Sequence, residues 1–155
     1  MEDVARAAGV STITVSRALN APDKLARATL RAVRAAIERL RYVRNLTAGS
    51  LASNRSRIVA VIVPTIANSI FAETINGLAQ TLARHGYQLL LGQTQYRVEE
   101  EAALVDAFLG RRVDGLVLTG VAHARGVPSR LQRAGIPVVE TWDLSARPID
   151  MMVGF

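Results

Sequence analysis

The chain has 155 residues, half of them hydrophobic, with 19 Lys or Arg against 13 Asp or Glu and a formal net charge of +6. This length suits a small head and a second domain of about 100 residues. Cysteine is absent, which excludes disulfides and thiolate metal sites. No run approaches the roughly 18 apolar residues of a membrane span, and no signal-peptide core is present, so we expect a soluble cytoplasmic protein.

The amino-terminal segment DVARAAGVSTITVSRALN predicts two short helices joined by a tight turn. The first spans about residues 2–8. Gly9 supplies the backbone freedom for a reversal, and Ser11 is a good N-cap for a second helix over residues 12–20. Two helices bent around such a turn are typical of proteins that read duplex DNA.

The second helix has two different sides. At 100° per residue, its narrow apolar side comprises Val15, Ala18 and Leu19. Its opposite side, flanked by Thr12 and Ser16, comprises Ile13, Arg17 and Asn20. Arginine can donate two hydrogen bonds to guanine, hydroxyls and amides can hold phosphates, and isoleucine can meet a thymine methyl group. An ordinary helical hairpin with a solvated arginine would show the same pattern.

A third helix is predicted over about residues 27–41, with one apolar stripe that covers the first two helices. The stripe comprises Leu30, Val33, Ile37 and Leu40. Next come YVRN, residues 42–45, and LTAGSLASNRS. That last segment has weak helical character and too few apolar residues to bury itself, and Leu51 is isolated among small and polar neighbours.

These motifs together resemble the lactose-repressor (LacI) family of bacterial transcription regulators. The resemblance is carried by DVARAAGVSTITVSRALN, by YVRN, which is similar to the family's Y-x-P-N, and by the hinge-like NLTAGSLASNRS. It implies a helix-turn-helix DNA-binding domain at residues 1–44, a hinge at 45–57 and the first part of an effector-binding α/β domain at 58–155.

The resemblance also implies which residues meet double-stranded operator DNA. The base-reading positions would be Thr12, Ile13 and Arg17. The backbone-contacting positions would be Ser11, Thr14, Ser16, Asn20, Thr29 and Asn45. The hinge would become helical only on the operator, where two copies from a homodimer would push Leu51 into the minor groove as a wedge.

The sequence departs from the family pattern in several places. Arg44 stands where the family has proline, which adds a charge that can find a phosphate. Gly49 costs a hinge helix about 1 kcal/mol relative to alanine, so the hinge should fold reluctantly without DNA. Met1 lies almost inside the first helix, and the chain stops at Phe155, whereas family members continue into a second lobe. We therefore expect a truncated member of the family.

Charge is distributed unevenly along the chain. Residues 1–57 hold 11 Lys or Arg against 4 Asp or Glu, a net of +7, whereas residues 58–155 hold 8 against 9, a net of −1. Basic residues concentrated in this way attract polyanions and make binding strongly salt-dependent. A generally basic protein would not show the asymmetry.

From residue 58 onward, apolar strands alternate with amphipathic helices. Strands are predicted at 58–64, 87–94, 115–120 and 136–140, and helices at about 71–85, 99–111 and 129–134. This alternation predicts a doubly wound parallel sheet with right-handed crossovers. Together with the head it gives the fold class: a small all-α helix-turn-helix head, then an incomplete lobe like that of periplasmic binding proteins.

Ligands of such sheets gather at the carboxyl ends of the strands, here 64–71, 93–96, 119–120 and 141–143. The resemblance implies a small sugar or sugar-acid effector. NSIF, residues 68–71, is similar to the family's N-P-F-F, so the implied contacts are Asn68, Phe71, Trp142 and Asp143. Phe71 as a core residue and Trp142 as a lid are the structural alternatives.

The tail IPVVETWDLSARPIDMMVGF resembles the gluconate-operon repressor branch of the family. A sugar acid would require a cation, for which Arg97, Arg125 and Arg147 are candidates.

Other function classes fit the sequence less well. There is no G-x-G-x-x-G or Walker motif, the sole lysine is Lys24, and no serine, histidine and acid can be grouped by spacing around His85 or His123. We expect no enzyme, no metal and no cofactor. A stand-alone sugar-binding α/β protein would lack the basic head, and a helix-turn-helix regulator of another family would lack the alternating strands.

Overall fold

The computed structural model describes residues 1–43 and 55–155. By its internal contacts the chain divides into two compact units, Met1–Gly49 and Ser50–Phe155. We call residues 1–43 the head and residues 55–155 the lobe. The predictions made for Arg44, Asn45, Gly49 and Leu51, and for most of the hinge, lie outside the described residues. No helix within the described ranges is long and apolar enough to cross a membrane.

The head contains three α-helices, α1 (Glu2–Ala8), α2 (Thr12–Asn20) and α3 (Arg27–Arg39), with a short 3₁₀ turn at Pro22–Lys24 before α3. The first two helices have the predicted limits. The buried side chains come from all three helices and are small: Val4, Ala5, Val15, Ala18, Val33 and Ala36. Small side chains let three short helices approach closely, so the head closes around a compact core.

The end of α3 differs from the prediction. The helix stops at Arg39, Leu40 is 43 % exposed rather than part of the buried stripe, and Arg41 adopts a left-handed φ of 46°. The Tyr42 N–H donates to the carbonyl of Ile37 at 2.9 Å, and the Tyr42 side chain packs against the head core. Because the chain reverses at Arg41, tyrosine takes the place that helical periodicity gave to leucine.

The lobe is a five-stranded, wholly parallel sheet in the order β2-β1-β3-β4-β5. The strands are β1 (Ile58–Val63), β2 (Gln88–Gln93), β3 (Gly115–Thr119), β4 (Val138–Trp142) and β5 (Met151–Gly154). The connecting helices are α4 (Ser69–Arg84), α5 (Val98–Gly110) and α6 (Val127–Ala134). Predicted limits of the first four strands agree within two residues, while β5 was not predicted because its residues follow a Pro-containing, polar segment.

Helices cover both faces of this sheet. On one face Val61, Val63 and Val117 pack with Ile75 and Leu78 of α4. On the other face, alternate residues of the same strands pack against α5 and α6. The strand residues are Ala60, Ile62, Leu116 and Leu118, and the helix residues are Val105, Phe108 and Leu131. Burial on two faces explains why these strands are continuously apolar rather than alternating, and the doubly wound prediction is confirmed.

Candidate nucleic-acid interface and ligand cavity

The turn between α1 and α2 is built by local hydrogen bonds. Gly9 has φ 65° and ψ 34°, a left-handed conformation that glycine adopts without a steric penalty. The Val10 N–H donates to the Ala5 carbonyl at 3.0 Å, which closes the end of α1. Ser11 then caps α2, because its hydroxyl oxygen accepts from the Thr14 N–H at 3.2 Å. The predicted turn and N-cap are confirmed.

Packing determines which side of α2 faces solvent. Val15 and Ala18 are buried in the head core, so the opposite side points outward. Ile13 is 67 % exposed, and Thr12 and Arg17 are also exposed. Among the described residues, none forms a hydrogen bond or an ion pair with the Arg17 side chain. The three side chains predicted to read bases therefore share one exposed side of a helix that is fixed from behind.

Four of the residues predicted to contact the DNA backbone belong to α2 or its N-cap, and several of them are already engaged locally: Ser11, Thr14, Ser16 and Asn20. Ser11 and Thr14 join their hydroxyls at 2.9 Å, and the Asn20 amide donates to the Ser16 carbonyl at 2.9 Å. Thr29 is half-buried in the first turn of α3. These bonds hold the flanks of α2 in place.

In the lobe, a cavity of about 150 Å³ lies at the carboxyl ends of β1, β2 and β3. Its apolar lining is Ile62, Val63, Pro64, Val98 and Ala122, and its polar lining is Thr94, Tyr96, Arg97, Glu101 and Thr119. Whole ligand sites commonly measure about 300–1,000 Å³, so this cavity provides part of a site. It lies at the strand ends where the sequence placed the ligand, and Arg97 is one of the three predicted cations.

The four residues predicted to contact the effector do not line this cavity. Asn68 caps α4, accepting from the Ile70 N–H at 3.1 Å, and Asp143 is exposed. Phe71 and Trp142 form an edge-to-face pair with ring centroids 5.4 Å apart, and Phe155 meets Trp142 in the same way at 5.9 Å. Trp142 has φ 83°, an uncommon conformation for a bulky residue.

A buried cluster of three ionisable side chains was missed by the sequence reasoning. His123, in the segment between β3 and α6, lies between two carboxylates: its Nδ1 is 2.7 Å from Glu101 Oε1, and its Nε2 is 3.0 Å from Glu140 Oε1. The other carboxylate oxygens accept backbone N–H groups, from Ala124 at 2.7 Å and from Ile149 at 2.6 Å. We call these three side chains the Glu–His–Glu triad.

The electrostatics of the triad favour a protonated imidazole. Burial opposes the charge on His123 and is the largest single influence, but the hydrogen bonds and negative charges of Glu101 and Glu140 outweigh it, so the pKa of His123 is raised above its ordinary value of 6.5. The sequence held two signals of this cluster. Glu101 shares the apolar side of α5 with Val105 and Phe108, and Glu140 ends the apolar run of β4.

Comparison with known proteins gives the class of the chain. The family model "Bacterial regulatory proteins, lacI family" matches residues 1–45, and "Periplasmic binding proteins and sugar binding domain of LacI family" matches residues 56–153. Two consecutive matches, to a regulator head and to a sugar-binding domain, account for nearly the whole chain. The chain belongs to the LacI family.

Individual relatives agree. The regulator GntR of Escherichia coli strain K12 is 35 % identical over all 155 residues, which are 47 % of its own length. A LacI-family regulator structure from Silicibacter pomeroyi matches with 41 % identity and a TM-score of 0.87, over 99 % of this chain and 46 % of that one. The lac repressor dimer bound to operator matches with 25 % identity and a TM-score of 0.76, over 90 % and 43 % of the two chains.

The chain therefore spans about half the length of these relatives. The two family matches on one chain favour this family over a stand-alone sugar-binding protein and over a helix-turn-helix regulator of another family.

Proposed function

We propose that the protein is a sequence-specific DNA-binding transcriptional regulator, a repressor, that responds to a small sugar or sugar-acid effector. The observation that carries the proposal is the exposed side of α2. Thr12, Ile13 and Arg17 face solvent together while Val15 anchors the same helix in the head core. A helix fixed in this way presents side chains to base edges without having to order its backbone on binding.

Charge supports the same role. The basic excess is confined to residues 1–57, which supply electrostatic attraction to phosphates, while Arg17 supplies a fork that matches the O6 and N7 acceptors of guanine. The relatives are named transcriptional regulators rather than enzymes. We therefore propose a regulatory, non-catalytic protein that acts on operator DNA in the cytoplasm.

The proposal is tested by selecting bound duplexes from a random pool and then comparing two arginine variants. Arg17→Ala should weaken binding to the selected duplex by about 1–3 kcal/mol, roughly 5- to 150-fold, and relax preference at one base pair. Arg34→Ala, on the exposed side of α3, removes the same charge without touching the α2 surface. It should weaken selected and scrambled duplexes by the same factor.

Equal losses for Arg17→Ala on selected and scrambled duplexes would make Arg17 a phosphate contact and would contradict base reading. A two-fold symmetric selected site would support action as a homodimer, in the manner of the lac repressor dimer bound to operator.

For the effector we propose a polyhydroxylated ligand, a sugar or sugar acid, held at the lobe cavity. The cavity combines hydroxyl groups of Thr94 and Thr119 with a cation, Arg97, and a carboxylate, Glu101. This set can accept and donate hydrogen bonds to hydroxyls and attract a carboxylate group. Phe71 of α4, and Trp142 and Asp143 at the end of β4, stay proposed contacts, because an indole can stack on a sugar ring. Adding D-gluconate to the DNA-binding assay should shift duplex affinity.

A further inference from the structure

The Glu–His–Glu triad connects parts of the lobe that are distant in sequence. Glu101 belongs to α5, His123 to the segment after β3, and Glu140 to β4. The backbone bonds from Ala124 and Ile149 extend the connection to the start of α6 and to the segment before β5. Glu101 also lines the cavity. The triad therefore ties the wall of the cavity to the last two strands of the sheet.

Hydrogen-bond geometry fixes the number of protons in the triad. An ionised carboxylate only accepts, and a neutral imidazole carries a single N–H. Both ring nitrogens of His123 lie within hydrogen-bond distance of a carboxylate oxygen, so both contacts need a proton at once. The three groups must then hold one proton more than a neutral ring between two carboxylates, whichever atom carries it.

Because the triad is buried, loss of this proton would strongly weaken its contacts. Only 3 % of the His123 side chain and 2 % of the Glu140 side chain are exposed, against 10 % for Glu101. Without the extra proton, a ring nitrogen lone pair would face a carboxylate lone pair at about 3 Å in a medium of low polarity. The contact that can open is the one to Glu101, because that side chain borders the cavity whereas Glu140 is enclosed.

We propose that the Glu–His–Glu triad is a proton-dependent clamp that positions Glu101 in the cavity wall as an acceptor for ligand hydroxyl groups, so that a polyhydroxylated ligand binds together with a proton. His123 and Glu140 are positioning residues, and Glu101 is the ligand contact. The ligand half of this inference rests on the function proposed above, whereas the proton held by the clamp is measurable without any ligand.

Of the described charged groups on the elements that pack around His123, only Glu101 and Glu140 contact its ring. Glu101 and Glu140 are the charges that act on the pKa of His123. The remaining charges on α5, α6, the β3–α6 segment and the β4–β5 segment do not reach the ring. Arg97 pairs with Glu100, Arg130 pairs with Asp106, and Asp150 accepts from the Val138 N–H. The others are exposed to solvent: Glu99, Arg125, Arg133, Asp143 and Arg147.

The variant Glu140→Gln keeps both hydrogen bonds of the His123 ring but removes the need for the extra proton. In Glu140→Gln the side-chain amide can donate to Nε2 of a neutral His123, whose Nδ1–H still donates to Glu101, while the amide oxygen still accepts from Ile149. Both ring contacts survive without the extra proton. His123→Ala removes both contacts and serves as the broken clamp.

The first measurement follows the His123 Cε1–H resonance by NMR during a pH titration of the full chain. In the wild type His123 should titrate above its ordinary value of 6.5, and in Glu140→Gln the titration should move to lower pH. A wild-type His123 that titrates at or below 6.5 would overturn the clamp.

The second measurement is the affinity for D-gluconate by calorimetry between about pH 6 and about pH 9. Wild-type affinity should fall by up to about ten-fold per pH unit above the pKa of His123, with proton uptake on binding, while Glu140→Gln should give a flat profile. Parallel profiles for the two proteins would overturn the inference. If the wild type binds no gluconate at any pH, the ligand half fails with the proposed effector, and the NMR titration still decides the clamp.

Discussion

Two apolar residues of α2, two positions apart, should separate folding from DNA recognition. Val15 is fully buried in the head core, whereas Ile13 is 67 % exposed on the side proposed to meet DNA. Truncating each to alanine removes aliphatic atoms from the same helix. The structure assigns the cost of one truncation to stability and of the other to binding.

The magnitudes follow from burial. Val15→Ala removes two buried methyl groups, worth about 1.6 kcal/mol by transfer, and the residual cavity raises this to roughly 2–3 kcal/mol. A small helical unit rarely has more than about 3–5 kcal/mol of stability, so much of the head should unfold at moderate temperature. Ile13→Ala should change the free energy of unfolding by less than about 0.5 kcal/mol. Its loss of contact area on DNA should cost about 1 kcal/mol, roughly five-fold in affinity.

Two probes distinguish the units of the chain. Tyr42 packs against the head core, so its ring resonances report head unfolding, and the single tryptophan, Trp142, reports the lobe. Val15→Ala should lower the melting temperature at Tyr42 alone. Ile13→Ala should melt like the wild type and bind the selected duplex more weakly in fluorescence anisotropy. An Ile13→Ala head that melts as early as Val15→Ala, or that keeps full affinity, would refute the assignment of the exposed side of α2.

Two further predictions concern the lobe. A Cβ added at Gly92 would lie 2.9 Å from the Phe108 ring, so Gly92→Ala should destabilise the lobe by about 1–3 kcal/mol in thermal unfolding. Gly77 lies in open space on α4, so Gly77→Ala should stabilise the lobe by about 0.5–1 kcal/mol. Equal shifts in the two variants would contradict the packing described. Because folding raises the pKa of His123, the stabilising contribution of this residue is complete below about pH 6.5 and is lost as the pH rises through the pKa of the folded protein. A lobe melting temperature that rises over that pH range would contradict the charge state of the triad.

Local patterns were enough to predict most elements of the fold. The limits of α1 and α2 follow from Gly9 and Ser11, whose backbone and capping preferences act within one turn of the chain. The strand and helix alternation follows from apolar runs bounded by polar turns. The end of α3 was placed wrongly because Leu40 continues the helical period, and only the reversal at Arg41, which brings Tyr42 to the core, decides which side chain is buried.

The candidate sites also differ in whether local sequence patterns or tertiary contacts determine them. The exposed side of α2 could be predicted because one helix determines it. The residues that line the cavity could not, since strand ends from β1, β2 and β3 meet there only through the sheet order. The triad joins residues 22 and 17 positions apart in sequence, on three different elements. Spacing along the chain carries no information about such a meeting, although a glutamate on the apolar side of α5 does indicate a buried partner.

The chemistry of the triad argues for a role beyond stability. Removing three ionisable side chains from water is costly, and well-packed apolar residues of similar volume would hold α5 against β4 at least as firmly. What apolar residues cannot do is hold a carboxylate oriented at the edge of a cavity, or make its position depend on a proton. Glu101 borders the cavity while His123 and Glu140 are enclosed behind it. That arrangement places the acceptor carboxylate in front, with the imidazole that holds it and a second carboxylate behind, and it suits a binding wall better than a core.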